Sequence, residues 1–171
     1  MTEHDKRPCV ILAVGDDSVG KDSFVLRLGE GSFTYPLIGE QIDTSSFSVT
    51  VGGLQVPVKI SNIEKYYKDQ AHIEWLAGYN ADGFLFCFDV GDRRSFQQVG
   101  EWWIPRIQRR MQDAVGVLVG LKGDVRSQRN KVWCVDAQEA MEMAARLGCG
   151  EYVECSALTG ESVECVVEHA V

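Results

Sequence analysis

No stretch of the chain approaches the roughly 18 to 20 consecutive apolar residues that a membrane-spanning helix needs. The polar start from Met1 to Pro8 also has no apolar signal-peptide core. A surplus of positive charge is missing too: 17 Lys and Arg stand against 25 Asp and Glu, a formal net charge of -8. Nucleic-acid affinity comes largely from Lys and Arg neutralising phosphates, so this balance argues against a nucleic-acid partner and against a basic membrane-surface patch. Six cysteines are present, but without a C-x-x-C pair or a Cys/His cluster. Cys9, Cys87, Cys134, Cys149, Cys155 and Cys165 read as reduced structural thiols, four of them inside apolar runs. A soluble, cytoplasmic protein is expected. Internal repeats, low-complexity segments and linkers are absent as well. The 171 residues, 45% of them hydrophobic, suffice for one domain with a full core and leave no room for a second, so 1–171 is expected to be a single domain.

What the chain does have is a regular alternation of strand and helix patterns. Cys9 to Val14 is a continuous apolar run ending at Gly15, as suits a strand buried on both faces, and Gly20 to Leu28 carries Phe24, Val25 and Leu28 at helical spacing. Phe47, Val49 and Val51 alternate up to Gly52-Gly53, and Leu54, Val56, Val58 and Ile60 alternate after it, predicting a β-hairpin with a glycine turn. Gly83 to Val90 and Val115 to Leu121 are two further buried strands. Between them a helix is predicted from about Arg93 to Met111, with Phe96, Val99, Trp103 and Ile107 on one face. Asp136 to Leu147 reads as an amphipathic helix with Ala140, Met143, Ala144 and Leu147 on one face, Tyr152 to Cys155 as a short strand, and Glu161 to Val171 as the start of a last helix. The sum is an α/β fold: a doubly wound, mostly parallel six-stranded sheet with one antiparallel edge hairpin.

Gly15-Asp16-Asp17-Ser18-Val19-Gly20-Lys21 matches the first seven positions of G-x-x-x-x-G-K-[ST], between a predicted strand and a predicted helix as that motif requires. Glycines let successive backbone N–H groups curl round a phosphate, the helix N-terminus adds partial positive charge, and the Lys ammonium reaches the terminal phosphates. The bland alternative is a glycine turn with a solvated Lys. Asp22 stands at the eighth position, where the motif has Ser or Thr.

Two later segments follow buried strands: Gly120-Leu121-Lys122-Gly123-Asp124 and Glu154-Cys155-Ser156-Ala157. With the phosphate loop, they resemble the small GTPases of the Ras superfamily. The run from Ala81 to Val90, followed by Arg94-Ser95-Phe96, is similar to that family's middle strand and next helix. Trp103-Ile104-Pro105 and Tyr152-Val153-Glu154-Cys155-Ser156-Ala157 resemble the Rho branch in particular, although the long Rho insert helix before Asp136 is mostly missing. The resemblance runs through nearly the whole chain in the right order and implies the P-loop GTPase fold.

It also implies a nucleotide site: Gly15, Asp17, Ser18, Val19, Gly20, Lys21, Asp22 and Ser23 around the phosphates, Lys122 and Asp124 at the base, and Ser156, Ala157 and Leu158 in the loop beside it. Family members read guanine with N-K-x-D, whose acidic side chain accepts from the ring edge while the Lys stem packs on the base. Lys122 and Asp124 match, and the charge-assisted bond could still select guanine; the alternative for Asp124 is a loop residue capping a turn. Leu121 replaces the Asn, where an unmade buried hydrogen bond would cost about 1–3 kcal/mol. Leu158 replaces the Lys of the family's S-A-K loop.

The magnesium and hydrolysis elements match less well. The family's P-loop hydroxyl ligates Mg²⁺. Asp22 is the single candidate ligand, with a carboxylate that would repel a phosphate charge about 4 Å away by about 4 kcal/mol at an effective dielectric near 20. Its alternative role is to cap the helix. Ser23 cannot take the hydroxyl's place, since it points about 100° away. Asn62, Lys65 and Tyr66 fall where the family has the Asp, Gly and Gln of its D-x-x-G-Q segment. Glu40 falls near the switch Thr position, with Thr44, Ser45 and Ser46 close by.

These departures point to a pseudo-GTPase, with guanine-nucleotide binding weak or absent, no hydrolysis and no catalytic residue. The expected role is that of a protein-interaction or scaffold module. No cofactor is firmly implied beyond weakly held GDP or GTP, and Mg²⁺ is disfavoured. The competing reading is a GTP-binding signalling switch with slow or no intrinsic hydrolysis. A small-molecule kinase would need a lid and a second substrate site, and no arginine-rich lid insertion is visible. A protein partner is expected on the switch-like segments from Gly31 to Ser46 and from Ser61 to Trp75, with Tyr66, Tyr67 and Trp75 as aromatic contacts, Trp75 being equally a core candidate. The chain stops at Glu168-His169-Ala170-Val171 without a prenylation Cys, so no membrane contact is expected from this segment.

Overall fold

The computed structural model describes residues 7–31, 44–63, 80–109, 113–127 and 133–171. The expectations placed on Glu40, Lys65, Tyr66, Tyr67 and Trp75 lie outside them. Six strands form one sheet in the order β2-β3-β1-β4-β5-β6. They are β1 (Cys9–Val14), β2 (Thr44–Val51), β3 (Leu54–Asn62), β4 (Gly83–Asp89), β5 (Val115–Leu121) and β6 (Glu151–Glu154). All neighbouring pairs are parallel except β2 and β3, which are antiparallel. Gly52 and Gly53 join that pair with φ of 56° and 81°, the left-handed pair that a two-residue hairpin turn demands.

The continuous apolar runs have a simple origin: the central strands are covered on both faces. Leu12, Val14, Phe84, Phe86, Phe88 and Leu118 bury into one core, whereas Ile11, Ala13, Leu85, Cys87, Val117 and Val119 bury into the other. Successive side chains point to opposite faces of a strand, so a strand sandwiched between helices needs an apolar residue at every position. Helix α1 (Lys21–Glu30) contributes Phe24 and Val25 to the second core. Helix α4 (Ala137–Arg146) buries Ala140, Met143 and Ala144, and Asp136 caps it by accepting from Gln138 N and Glu139 N at 2.9 and 3.3 Å.

The stretch expected as one helix from Arg93 to Met111 is instead α2 (Arg93–Gln98), a π-helical segment (Val99–Trp103) and α3 (Ile104–Gln108). Pro105 explains the departure. It has no N–H for the carbonyl four residues back, and the wider i→i+5 turn, seen as Ile104 N bonding Val99 O, absorbs the mismatch. Phe96, Val99, Trp103 and Ile107 still share the buried face. The last helix, α5 (Val163–Glu168), starts two residues later than the expected Glu161, after Ser162 in a left-handed conformation. In parallel α/β sheets the crevice beyond the carboxyl ends of the strands is where ligands bind. The segments after β1, β5 and β6 and the last residue of β3 meet there.

Candidate functional site

β1 ends at Gly15, whose φ is 150° and where an added Cβ would fall 2.2 Å from the Cys87 carbonyl oxygen. No side chain fits between the loop and β4. Gly20, with φ 108°, is the N-cap of α1 and, as a glycine, supplies no side-chain cap to the first-turn N–H groups. Between them, Asp17 and Ser18 are exposed, Val19 is buried, and Ser18 holds φ 61°. Lys21 is not a solvated side chain. It is 5% exposed, and its Nζ donates to the carbonyls of Gly15 and Asp16, both at 2.8 Å. Burial pushes its pKa below the usual ammonium range, while Cys87, Asp17, Asp22 and Asp16 pull the other way.

Asp22 sits in the first turn of α1 but is not its cap, since Gly20 holds that position. Its Oδ1 accepts a hydrogen bond from Asn62 Nδ2, at the end of β3. Asn62 is 8% exposed, and its Oδ1 is buried with no hydrogen-bond partner among the described residues. Only the amino end of an amide can face a carboxylate, so this pairing leaves the carbonyl end unmet, at a cost of about 1–3 kcal/mol.

A cavity of about 210 Å³ adjoins the loop, lined by Gly20, Ser23, Leu121, Lys122, Asp124, Val125, Ala157 and Leu158. Asp124 Oδ1 accepts from the buried Ser156 Oγ at 2.6 Å, and Ser156 Oγ in turn accepts from Thr159 N at 3.1 Å. The Asp124 side chain therefore binds a neighbouring strand's loop and does not cap its own turn. Lys122, at φ 60°, donates from Nζ to the Ser18 carbonyl at 2.8 Å and pairs with Asp89 at 2.7 Å. Leu121 is 2% exposed and belongs to the core beneath α1, so the expected loss of a hydrogen bond there is met by apolar packing. Leu158 is half exposed at the cavity rim.

Two members of this constellation were not anticipated from the sequence. Asp89, ending β4, accepts from Gly91 N at 2.8 Å and holds Lys122; a carboxylate closing an apolar strand run was the available signal. Trp103, expected only as a core residue, donates its indole N–H to Asp16 Oδ1 at 3.0 Å. No sequence pattern announces a contact across 87 residues. A larger cavity of about 530 Å³ lies between α1, β2 and α5, bordered by Arg27, Phe47, Thr50 and Glu168; none of the expected nucleotide-site residues lines it. Among the described residues no cluster of three or more His, Cys, Asp or Glu is placed to hold a metal, and no helix is long and apolar enough to cross a membrane.

Comparison with known proteins agrees with this fold. The family model described as "Ras family" matches residues 10–171. The Rho-related GTP-binding protein RhoV of Bos taurus and that of Mus musculus are each 29% identical over 172 residues, covering 95% of this chain and 72% of the relative. The six-stranded, mostly parallel sheet with its glycine loop after β1, and this match along almost the whole chain, lead to one conclusion: the protein belongs to the Ras family, as a small GTPase-type chain close to the Rho branch.

Proposed function

We propose that this protein is a pseudo-GTPase: a Ras-family fold that holds guanine nucleotide weakly or not at all, does not hydrolyse GTP, and acts in the cytoplasm as a protein-interaction module. The observation that carries the reading is the Asp22–Asn62 hydrogen bond. A magnesium ion in such a site requires near-octahedral oxygen ligands, one or two of them carboxylates, together with phosphate oxygens. Here the one carboxylate on α1's first turn faces amide hydrogens, and the β3 residue brings an amide in place of an acid. That donor set does not fit Mg²⁺.

The phosphate loop itself is fastened by protein atoms on several sides. Lys21 holds the Gly15 and Asp16 carbonyls, Lys122 holds Ser18, Trp103 holds Asp16, and Asn62 holds Asp22. These contacts support a loop that keeps its shape without a phosphate. Asp16, Asp17 and Asp22 also place three carboxylates around the buried Lys21. A phosphate entering this loop meets that negative field, and two unit charges about 4 Å apart repel by about 4 kcal/mol at an effective dielectric near 20. What remains on the base side supports a residual preference for guanine, through Asp124 and the stem of Lys122. A protein partner is assigned to the segments from Gly31 to Ser46 and from Ser61 to Trp75, with Tyr66, Tyr67 and Trp75 as contacts.

The second reading, a GTP-binding switch that hydrolyses slowly or not at all, is favoured by one feature: the intact Asp124–Ser156 and Lys122–Ser18 hydrogen bonds beside the cavity. Denaturing the purified protein and measuring released nucleotide separates the two. The pseudo-GTPase reading expects far less than one nucleotide per chain; stoichiometric GDP or GTP would overturn it and favour the switch reading.

A further inference from the structure

We propose that Asn62 is the residue that closes this site to divalent cations: its amide gives Asp22 the positive partner a cation would otherwise supply, and exchanging that amide for a carboxylate opens a cation site. The inference deepens the pseudo-GTPase reading and rests on it for its biological meaning. Its test reads cation binding alone.

Both residues are fixed by rigid elements. Asn62 is in register with Ala13 on β1, and the next residue, Ile63, donates its backbone N–H to the Ala13 carbonyl at 2.9 Å. Asp22 follows directly on Lys21, whose ammonium is pinned to two loop carbonyls. The side chains meet at hydrogen-bond range inside a largely buried setting, Asn62 being 8% exposed. Asn and Asp have nearly the same shape. Replacing Asn62 by Asp therefore keeps the contact and reverses its sign: a donor facing a carboxylate becomes a second carboxylate facing the first. Two carboxylates at this range cannot both stay charged without a proton or a cation between them. In Asn62→Asp the oxygen that replaces Nδ2 faces Asp22 Oδ1, and those two oxygens converge; the buried Oδ1, which has no hydrogen-bond partner among the described residues, is the second oxygen of the same carboxylate. Hard divalent cations take such oxygen sets. In the wild type the amide hydrogens occupy that role, so a cation gains nothing by entering.

The experiment uses the full chain, stripped of nucleotide, in four forms: wild type, Asn62→Asp, Asp22→Asn, and the reversed pair Asp22→Asn/Asn62→Asp. Thermal unfolding is followed in EDTA and in millimolar Mg²⁺ or Ca²⁺, and Mn²⁺ binding by electron paramagnetic resonance. Wild type is expected to unfold at the same temperature with and without cation. Asn62→Asp should be less stable in EDTA, recover with cation, and bind Mn²⁺ at least about tenfold more tightly than wild type. The reversed pair restores one donor and one carboxylate and should lose both effects. Cation-insensitive Asn62→Asp protein overturns the proposal, as does wild-type Mn²⁺ binding that disappears in Asp22→Asn. If Asn62→Asp does not fold, the last comparison and the reversed pair carry the test. Finding bound GTP or a working switch would end the functional reading and leave these outcomes as they stand.

Discussion

Lys122 Nζ donates at 2.8 Å to the backbone carbonyl of Ser18, 104 residues earlier, while the same ammonium lies 2.7 Å from Asp89 Oδ2. One side chain thus ties the loop after β5 to the loop after β1 and to the end of β4. Lys122 does so from a left-handed backbone, φ 60°, a conformation that costs a non-glycine residue about 1–3 kcal/mol. Such a position persists only when its surroundings hold it in place.

Nucleotide affinity is the first prediction. GDP and GTP should bind with micromolar or poorer affinity, and EDTA should change it little, because the Asp22–Asn62 pair leaves no fitting place for Mg²⁺. Isothermal titration with and without EDTA measures both. Lys21→Ala should abolish residual binding, and Asp124→Ala should erase any preference for guanine over adenine; loss of about 1.4 kcal/mol corresponds to each tenfold drop in affinity. A nanomolar Kd that EDTA weakens strongly would contradict this.

Hydrolysis should be undetectable above background, even with an activating partner. An arginine supplied by such a partner raises rates by about 10³ to 10⁵, but only where metal and water are already placed. Asn62 supplies no metal carboxylate, and the sequence places Tyr66 at the water-orienting position. Phosphate release that vanishes in Lys21→Ala protein would refute the prediction.

Partner binding should not depend on nucleotide. A ligand shifts a conformational equilibrium only by its differential affinity for the two states. The residues that would sense the terminal phosphate are expected at Glu40, Asn62 and Lys65, none of which keeps the family's side chain. Partner affinity measured without nucleotide, with GDP and with a non-hydrolysable GTP analogue should agree within about tenfold. A larger difference would demonstrate a switch.

Alkaline pH should destabilise the fold through its buried thiols. Burial pushes the Cys87 thiol up to about 12 and the Cys149 thiol up to about 11. Unfolded cysteines ionise near pH 8.5, so the unfolded chain loses these protons first. The stabilising contribution is complete below that value and is lost as pH rises through the folded-state values. The unfolding temperature should therefore fall between about pH 9 and 12. Cys87→Ala should soften the fall while costing stability at neutral pH by leaving a cavity. An unfolding temperature flat across that range would count against buried, protonated thiols.

The alternation of apolar strands and amphipathic helices determined the fold from sequence alone, because a sheet covered on both faces requires apolar runs wherever a strand passes through it. The shape of the glycine loop after β1 was equally legible: Gly15 and Gly20 hold backbone angles that suit glycine, and their spacing shows along the chain. The break in the helix after Gln98 was less so, since the pattern of buried residues survives a π turn and Pro105 alone signalled trouble. Leu121 was legible as an exception to the family pattern, but only packing showed that an apolar cluster takes up the place of a missing hydrogen bond.

The contacts that define the site were decided by tertiary structure. Sequence placed Asp22 and Asn62 as two separate departures from a motif, each explicable by itself. The fold brings α1's first turn against the end of β3 and makes them a single hydrogen-bonded pair. The same holds for Asp16 with Trp103 and for Lys122 with Ser18. Periodicity along a chain reports which face of an element is buried, because burial repeats with the geometry of the helix or strand. It carries no record of which polar atoms meet across the sheet, since those meetings depend on the register and packing of elements distant in sequence.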